Sequence, residues 1–413
     1  MTIISLFAFA VFFFTLFLSF RKGSDFFSPA RVFVLLWSLS IALVEFKFSR
    51  LQFEWDTFGW FMLLIGLLSF ILGNYISYVI NLSKPFYQID VVRQKIRTYN
   101  INEPLLFKII IISFIVFIFS FMIEFFIEGY VPIFTAQPDK ARKMFGIFGL
   151  HLLVNGVNVI LFLIAEYFIL IKSNLKRKML LSLIFLISTS SFFLLLQRYN
   201  FFMLGIMVFA FLYYSGKRIR LRTFLYGILI MASLVVIIRS VRIAQFAEYY
   251  FYVTSEMKFP IKYAFLSEPY MYITMNLENF VKNYDKLDFH TFGFFTTDFL
   301  MALSGLKHLL TEYLNVEKFP HYIGGYNTFP FYWAYYYDFG LIGLTFIPMI
   351  LGFLISEVHY RLHRIPNLSN LALYTVGFAV ILISYSSDPL TRLDMVFNFA
   401  LIVLVQKYLV INQ

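Results

Sequence analysis

Runs of apolar residues about as long as a bilayer is thick recur along this chain, and nothing else in the sequence limits its fold so strongly. A hydrocarbon layer of about 30 Å takes roughly 20 helical residues to cross. Eleven stretches approach that length: 2–20, 32–46, 57–80, 105–127, 149–171, 179–196, 201–216, 223–238, 331–356, 368–386 and 394–411. Of the 413 residues, 60% are hydrophobic and 14% charged, and 56 are phenylalanine. A water-soluble domain of that composition could not cover its core with polar surface, whereas lipid-exposed helices need no such cover. The expectation is an all-α polytopic membrane protein with about 11 transmembrane helices. The first run carries no basic residues ahead of it and no plausible cleavage site after it, so it reads as an uncleaved span rather than a signal peptide.

Basic residues orient the spans. They cluster in alternate short loops: Arg21, Lys22 and Arg31; Lys84, Arg93, Lys95 and Arg97; Lys172, Lys176, Arg177 and Lys178; Lys217, Arg218, Arg220 and Arg222; Arg361 and Arg364. The positive-inside rule makes that side cytoplasmic. Loops 47–56, 128–148, 197–200, 239–330 and 387–393 are then external, with the N-terminus outside and the C-terminus in the cytoplasm. The organisation reads as transmembrane helices 1–8 over residues 1–238, one long external loop over 239–330, and helices 9–11 over 331–413. This asymmetry accounts for most of the net charge of +11. Cations divided among short loops form no continuous face for nucleic acid, so no nucleic-acid partner is expected.

There is no cysteine, which excludes disulfides, thiolate catalysis and Cys-ligated zinc. No internal repeat or Gly-, Pro- or Ser-rich linker marks a second domain. An acidic pair for a nucleotide-sugar metal, HExxH, a P-loop and a dinucleotide fingerprint are all missing. Of the six histidines, His359 and His363 are four apart, but beside Arg361 on the cytoplasmic side, and none shows metal-ligand spacing. The expectation is therefore no cofactor and no metal.

The chemistry is expected outside. Arg198 sits between two spans in LLLQRYNFF, Arg239 and Arg242 share a helical face in VVIIRSVRIAQF, and Arg142 lies in VPIFTAQPDKARKMFG. Each alone could snorkel to lipid phosphates. Together their planar forks suit a pyrophosphate held at the outer face. The long loop is rich in tyrosine, including Tyr270, Tyr326 and Tyr336, which suits either sugar stacking or an interfacial belt. A base for a sugar hydroxyl must come from Glu268, His290, Asp298, His308, Glu312, His321 or Asp338, and the sequence does not rank them. Asp338 also suits a helix cap, and a lone loop histidine is commonly just solvated.

Several stretches together resemble a family. GYVPIFTAQPDKARKMFG follows the fourth span, LQRYNFFMLGIMVF places an arginine between two spans, and RSVR opens the long loop. EPYMYITMNLENF lies within that loop, and YNTFPFYWAYYYDFGLIGLTFIPMILGFL returns from it. In this order they resemble the Wzy-type O-antigen and capsule repeat-unit polymerases over roughly residues 100–360. Tyr199 and Asn200 follow Arg198 where the family pattern suggests small residues.

The resemblance implies a GT-C-like membrane glycosyltransferase that polymerises undecaprenyl-pyrophosphate-linked oligosaccharides without a metal at the outer face of the cytoplasmic membrane. It implies that Arg198, Arg239 and Arg242 hold the pyrophosphate, with help from Arg142, and that one of Glu268, His321 or Asp338 handles the acceptor proton. The partners would be a lipid-linked glycan donor and acceptor within the bilayer; whether a chain-length co-polymerase also binds stays open. A glycan ligase and a non-enzymatic transporter of the same lipid-linked unit are the alternatives.

Overall fold

The computed structural model describes residues 2–21, 23–172, 174–216, 247–284, 286–287, 289–314, 323 and 328–409, apart from the side chains of Asp139, Ala247, Glu248, His308 and residues 312–314. Regular structure among these residues is helical, and one isolated bridge joins Ser49 to Met257. The helices are α1 (Ile3–Ser19), α2 (Pro29–Val44), α3 (Thr57–Asn81), α4 (Ile89–Arg97), α5 (Glu103–Glu128), α6 (Pro138–Met144), α7 (Leu150–Asn155), α8 (Val157–Leu170) and α9 (Leu175–Leu194). They continue with α10 (Arg198–Ser215), α11 (Ala247–Thr254), α12 (Ser267–Asn283), α13 (Asp298–Leu303), α14 (Leu306–Leu314), α15 (Trp333–Arg364), α16 (Leu368–Ile383) and α17 (Leu393–Tyr408). Helix occupies ten of the eleven expected spans, and the eighth, 223–238, lies outside the described residues.

Among the described residues, five stretches are long and apolar enough to cross a membrane: Thr57–Asn81, Glu103–Phe134, Leu150–Leu170, Leu175–Leu194 and Trp333–Arg364. α1, α2 and α16 are shorter apolar helices. Lipid supplies no hydrogen bonds, so a segment within it must pair its own backbone, as helices do. Short polar side chains fix several starts: Thr2 accepts from Ser5 N, Asp56 from Gly59 N, Asn102 from Leu105 N and Asn174 from Arg177 N.

The chain forms two compact units, each from separated segments: Met1–Gln88, Phe246–Arg364 and Val380–Leu393, and Ile89–Gln245, Ile365–Ala379 and Asp394–Gln413. In the first, α3 and α15 lie backbone to backbone. A Cβ on Gly73 would fall 1.9 Å from the Met349 carbonyl oxygen, and one on Gly352 would fall 2.2 Å from that of Phe70. Small residues allow such an approach, and polar side chains then bond across it. Ser356 donates to Asn74 Oδ1 at 2.5 Å, and Asn81 Nδ2 to Glu357 Oε2 at 2.6 Å. The outer faces carry Phe7, Phe13, Leu68 and Ile342, all exposed, as lipid-facing residues are.

Within α15 the backbone breaks at Gly340, where φ is +59°, a conformation open to glycine. The aromatic run before the break is core rather than belt: Tyr332, Trp333, Tyr335, Tyr336 and Tyr337 are all buried. The expected long loop is itself largely helical among the described residues. α12 buries Thr274, Asn276, Glu278, Asn279 and Asn283 completely.

In the second unit α8 is buried at every residue from Val157 to Ile164, the pattern of a helix surrounded by others. Its Glu166 accepts from Gln406 Nε2 of α17 at 2.5 Å.

Loops sorted to one side by their basic residues meet in space within each unit. In the first, the 21–28 turn, the 82–88 turn and the end of α15 meet through Asp25, Tyr87, His359 and His363. Glu278, Trp55 and Lys47 gather loops expected on the other side. In the second, Arg93 and Arg97 donate to the carbonyls of Tyr213 and Ser215, while Arg177 and Tyr167 donate to Glu103.

Candidate functional site

Arg198 is the first residue of α10, and its position is fixed from both sides. α9 ends by donating Gln197 N to Phe192 O (2.9 Å) and Leu196 N to Phe193 O (3.2 Å), with Leu196 at φ +54° where such a turn usually places glycine. A left-handed leucine costs roughly 1–2 kcal/mol. Leu196 is buried, so packing of its side chain offsets that strain.

On the other side the amides interlock. Gln197 Nε2 donates to Asn155 Oδ1 at 2.8 Å, and Asn200 Nδ2 donates to the same oxygen at 3.3 Å and to Gln197 Oε1 at 3.2 Å. Asn398 Nδ2 of α17 donates to the Asn155 backbone carbonyl at 3.1 Å. Asn200 thus has a packing role in place of a small residue. With Gln197 engaged in this lattice, its side chain makes no cap hydrogen bond to α10. The positive end of a helix and a half-buried arginine therefore coincide, which favours an anion.

Arg142 lies in the last turn of α6, half-buried, in the same unit as Arg198. Arg239, Arg242, His321 and Tyr326 lie outside the described residues, as do the side chains of His308 and Glu312.

The remaining site residues belong to the first unit. Glu268 is in the first turn of α12, half-buried. Asp338 is fully buried, and its carboxylate accepts from the Thr291 hydroxyl, from Phe295 N at 3.1 Å and from Thr296 N at 2.5 Å. It therefore clamps the 291–296 turn rather than capping its own helix. Tyr270 is buried against Met257, Met271, Met275 and Ile323, and its hydroxyl donates to Gln52 Oε1 at 2.7 Å. Burial pushes that hydroxyl up to about 12, so it remains a neutral donor. The Tyr336 hydroxyl donates to the Tyr284 carbonyl at 2.9 Å. Tyr249, Tyr250 and Tyr263 are the exposed tyrosines of the same segment among the described residues. His290 is exposed, its Nδ1 3.0 Å from the Tyr337 carbonyl, and Asp298 pairs with Lys307 at 2.7 Å.

Two buried ionic clusters were not singled out by the sequence. Glu278 accepts from Lys47 Nζ (2.9 Å), Trp55 Nε1 (2.8 Å) and Gln52 Nε2 (3.2 Å), with the Lys47 ammonium 4.8 Å from the Trp55 ring centre. Burial raises its carboxyl above the usual range, against the opposing pull of Lys47. Lys47 and Glu278 are too far apart in sequence for any local signal to pair them. The second cluster, Asp25, His359 and His363, presents one carboxylate oxygen and two imidazole nitrogens within 4.8 Å of one another, and these residues could hold a metal. Its sequence signal was the four-residue spacing of the histidines.

The chain matches no protein-family model, no curated protein and no solved structure.

Proposed function

We propose that this protein is an oligosaccharide repeat-unit polymerase of the cytoplasmic membrane. It transfers a growing glycan from one undecaprenyl pyrophosphate to the terminal sugar of another lipid-linked unit at the outer face. The observation that carries the reading is Arg198 beside a lattice of amides at the positive start of α10, where the Gln197 side chain is engaged in that lattice rather than in a cap. A pyrophosphate leaving group develops negative charge as the glycosidic bond breaks, and fixed cations placed there in advance lower the barrier without reorganising.

The reaction draws its energy from the donor, so it needs no nucleotide. In this reading Arg239 and Arg242 complete the grip on the pyrophosphate and Arg142 assists. The acceptor hydroxyl gives its proton to a carboxylate or imidazole, with Glu268 and His321 the foremost choices. The gathering of basic loops at one end of each unit supports the sidedness: N-terminus outside, C-terminus in the cytoplasm, and the 239–330 segment external. Eleven spans and a GT-C-like arrangement belong to the same reading, which also rests on the family resemblance.

Purified protein given lipid-linked repeat units and no nucleotide should build a ladder of longer glycans. Arg198→Ala, Arg239→Ala and Arg242→Ala should each abolish or strongly reduce it while the protein still inserts, and Arg198→Lys should impair it, since an ammonium cannot reproduce the planar fork. A ladder that survives all three alanine changes would reduce these arginines to membrane anchors. Deletion of the gene distinguishes a ligase: a missing polymerase leaves single units on the final acceptor, whereas a missing ligase leaves long polymer on the lipid.

A further inference from the structure

We propose that Asp25, His359 and His363 form a binding site for a divalent transition metal of the Zn²⁺ class, apart from the proposed glycosyl transfer and independent of it. His359 and His363 are one helical turn apart near the end of α15, so both rings leave the same face. Asp25 reaches them from the turn between α1 and α2. Its Oδ2 lies 2.9 Å from His359 Nε2 and 3.0 Å from His363 Nε2. All three side chains are buried.

Hydrogen bonding around the cluster specifies what fits its centre. His363 Nδ1 lies 2.7 Å from the Tyr87 carbonyl, an acceptor only, so this nitrogen carries the proton. In the neutral imidazole Nε2 then presents a lone pair, aimed at a carboxylate oxygen with lone pairs of its own. Two electron-rich atoms at that separation in a buried site call for a cation between them. The proton and a metal ion are the two that fit.

The surroundings favour the metal. Nδ1 bonded to a backbone carbonyl is the outer contact that orients metal-binding histidines. The Phe86 ring lies flat on His363, 4.3 Å between centres and 3° from parallel, which fixes the ring plane. Asp25 is fixed as well: Oδ1 accepts from Phe27 N at 3.0 Å, its carbonyl accepts from Arg31 at 2.7 Å, and Oδ2 faces the histidines. Two imidazoles and one carboxylate suit Zn²⁺, Co²⁺ or Ni²⁺ better than Mg²⁺ or Ca²⁺, which prefer oxygen. Bonds of about 2.1 Å at a tetrahedral angle place ligand atoms about 3.4 Å apart. The nitrogen–oxygen pairs here, at 2.9 and 3.0 Å, would open by about 0.4–0.5 Å, a change that small side-chain rotations supply. Bound there, the ion would join the 21–28 turn, the 82–88 turn and the end of α15.

The test uses the full chain, purified without a histidine tag in detergent, stripped with chelator and titrated with Co²⁺ or Zn²⁺. Expected are one equivalent bound per chain, visible d–d bands of low-coordinate Co²⁺, and a Zn²⁺-dependent rise in Tm. Asp25→Asn and His359→Gln should each weaken binding at least tenfold and remove the Tm response. If these variants do not fold, X-ray absorption of the Co²⁺-loaded wild type decides, with two imidazoles in the coordination shell expected. A wild-type chain that takes up no metal, or variants that bind it undiminished, would overturn the proposal and leave a cluster bridged by protons.

Discussion

The Gln197 side chain donates to Asn155 Oδ1 across 2.8 Å, and through that bond the α7–α8 junction sets the residue preceding Arg198. Asn155→Ala would remove the acceptor of the half-buried Gln197 amide and one of the two acceptors of the buried Asn200 amide, costing about 1–3 kcal/mol for a group left unsatisfied. Polymer made in cells should shorten or vanish with membrane insertion intact, and Asn155→Asp, which keeps the acceptor, should retain more activity. Wild-type polymer from Asn155→Ala would show that Arg198 works without the lattice.

Substitutions at the α3–α15 contact should grade by what the added carbon meets. Gly73→Ala and Gly352→Ala meet backbone oxygens at 1.9 and 2.2 Å, whereas Gly66→Ala meets the end of the Leu344 side chain at 3.0 Å. The first two should lower stability by about 1–3 kcal/mol or more and the third by less. Melting of the detergent-solubilised variants reads the order directly.

Glu278 gives stability a pH dependence of definite sign. Its carboxyl is raised in the folded chain, so this contribution is full below the unfolded glutamate value of about 4.3 and is lost as pH rises through the folded value. Glu278→Gln should flatten that part of the stability profile. Glu278→Ala should cost up to about 3–5 kcal/mol, because it leaves the mostly buried Lys47 ammonium only its looser contact with Glu45 at 3.8 Å.

Asp338→Asn should destabilise by more than about 2 kcal/mol, since hydrogen bonds to a charged acceptor are worth about 1.5–3 kcal/mol each and three converge there. Limited proteolysis should detect earlier cleavage in the 291–297 turn. An unchanged melting profile together with lost polymerisation would restore Asp338 as an acceptor base.

Tyr270→Phe removes one buried hydroxyl that bonds Gln52 and should cost about 1 kcal/mol. Polymer formed per folded molecule should not change. A shift in acceptor affinity without a shift in Tm would instead place Tyr270 at the glycan.

The apolar runs determined where helix lies in ten segments, because internal backbone pairing is a local requirement that each segment meets by itself. Charge alternation likewise grouped loops whose polar residues meet within a unit. Arg198 stands out in the sequence as a cation between two apolar runs, and it is the first residue of α10. The tertiary structure decided what the polar side chains do. Tyr270 and Tyr336 read from sequence as sugar contacts or an interfacial belt and Asp338 as a candidate base or helix cap, and each is buried with a partner from a distant segment. Asp25 joins His359 and His363 across more than three hundred residues, and Lys47 joins Glu278 across more than two hundred. Such pairs leave no periodicity or spacing in the chain, since a buried polar group needs only one partner in space, and packing chooses which.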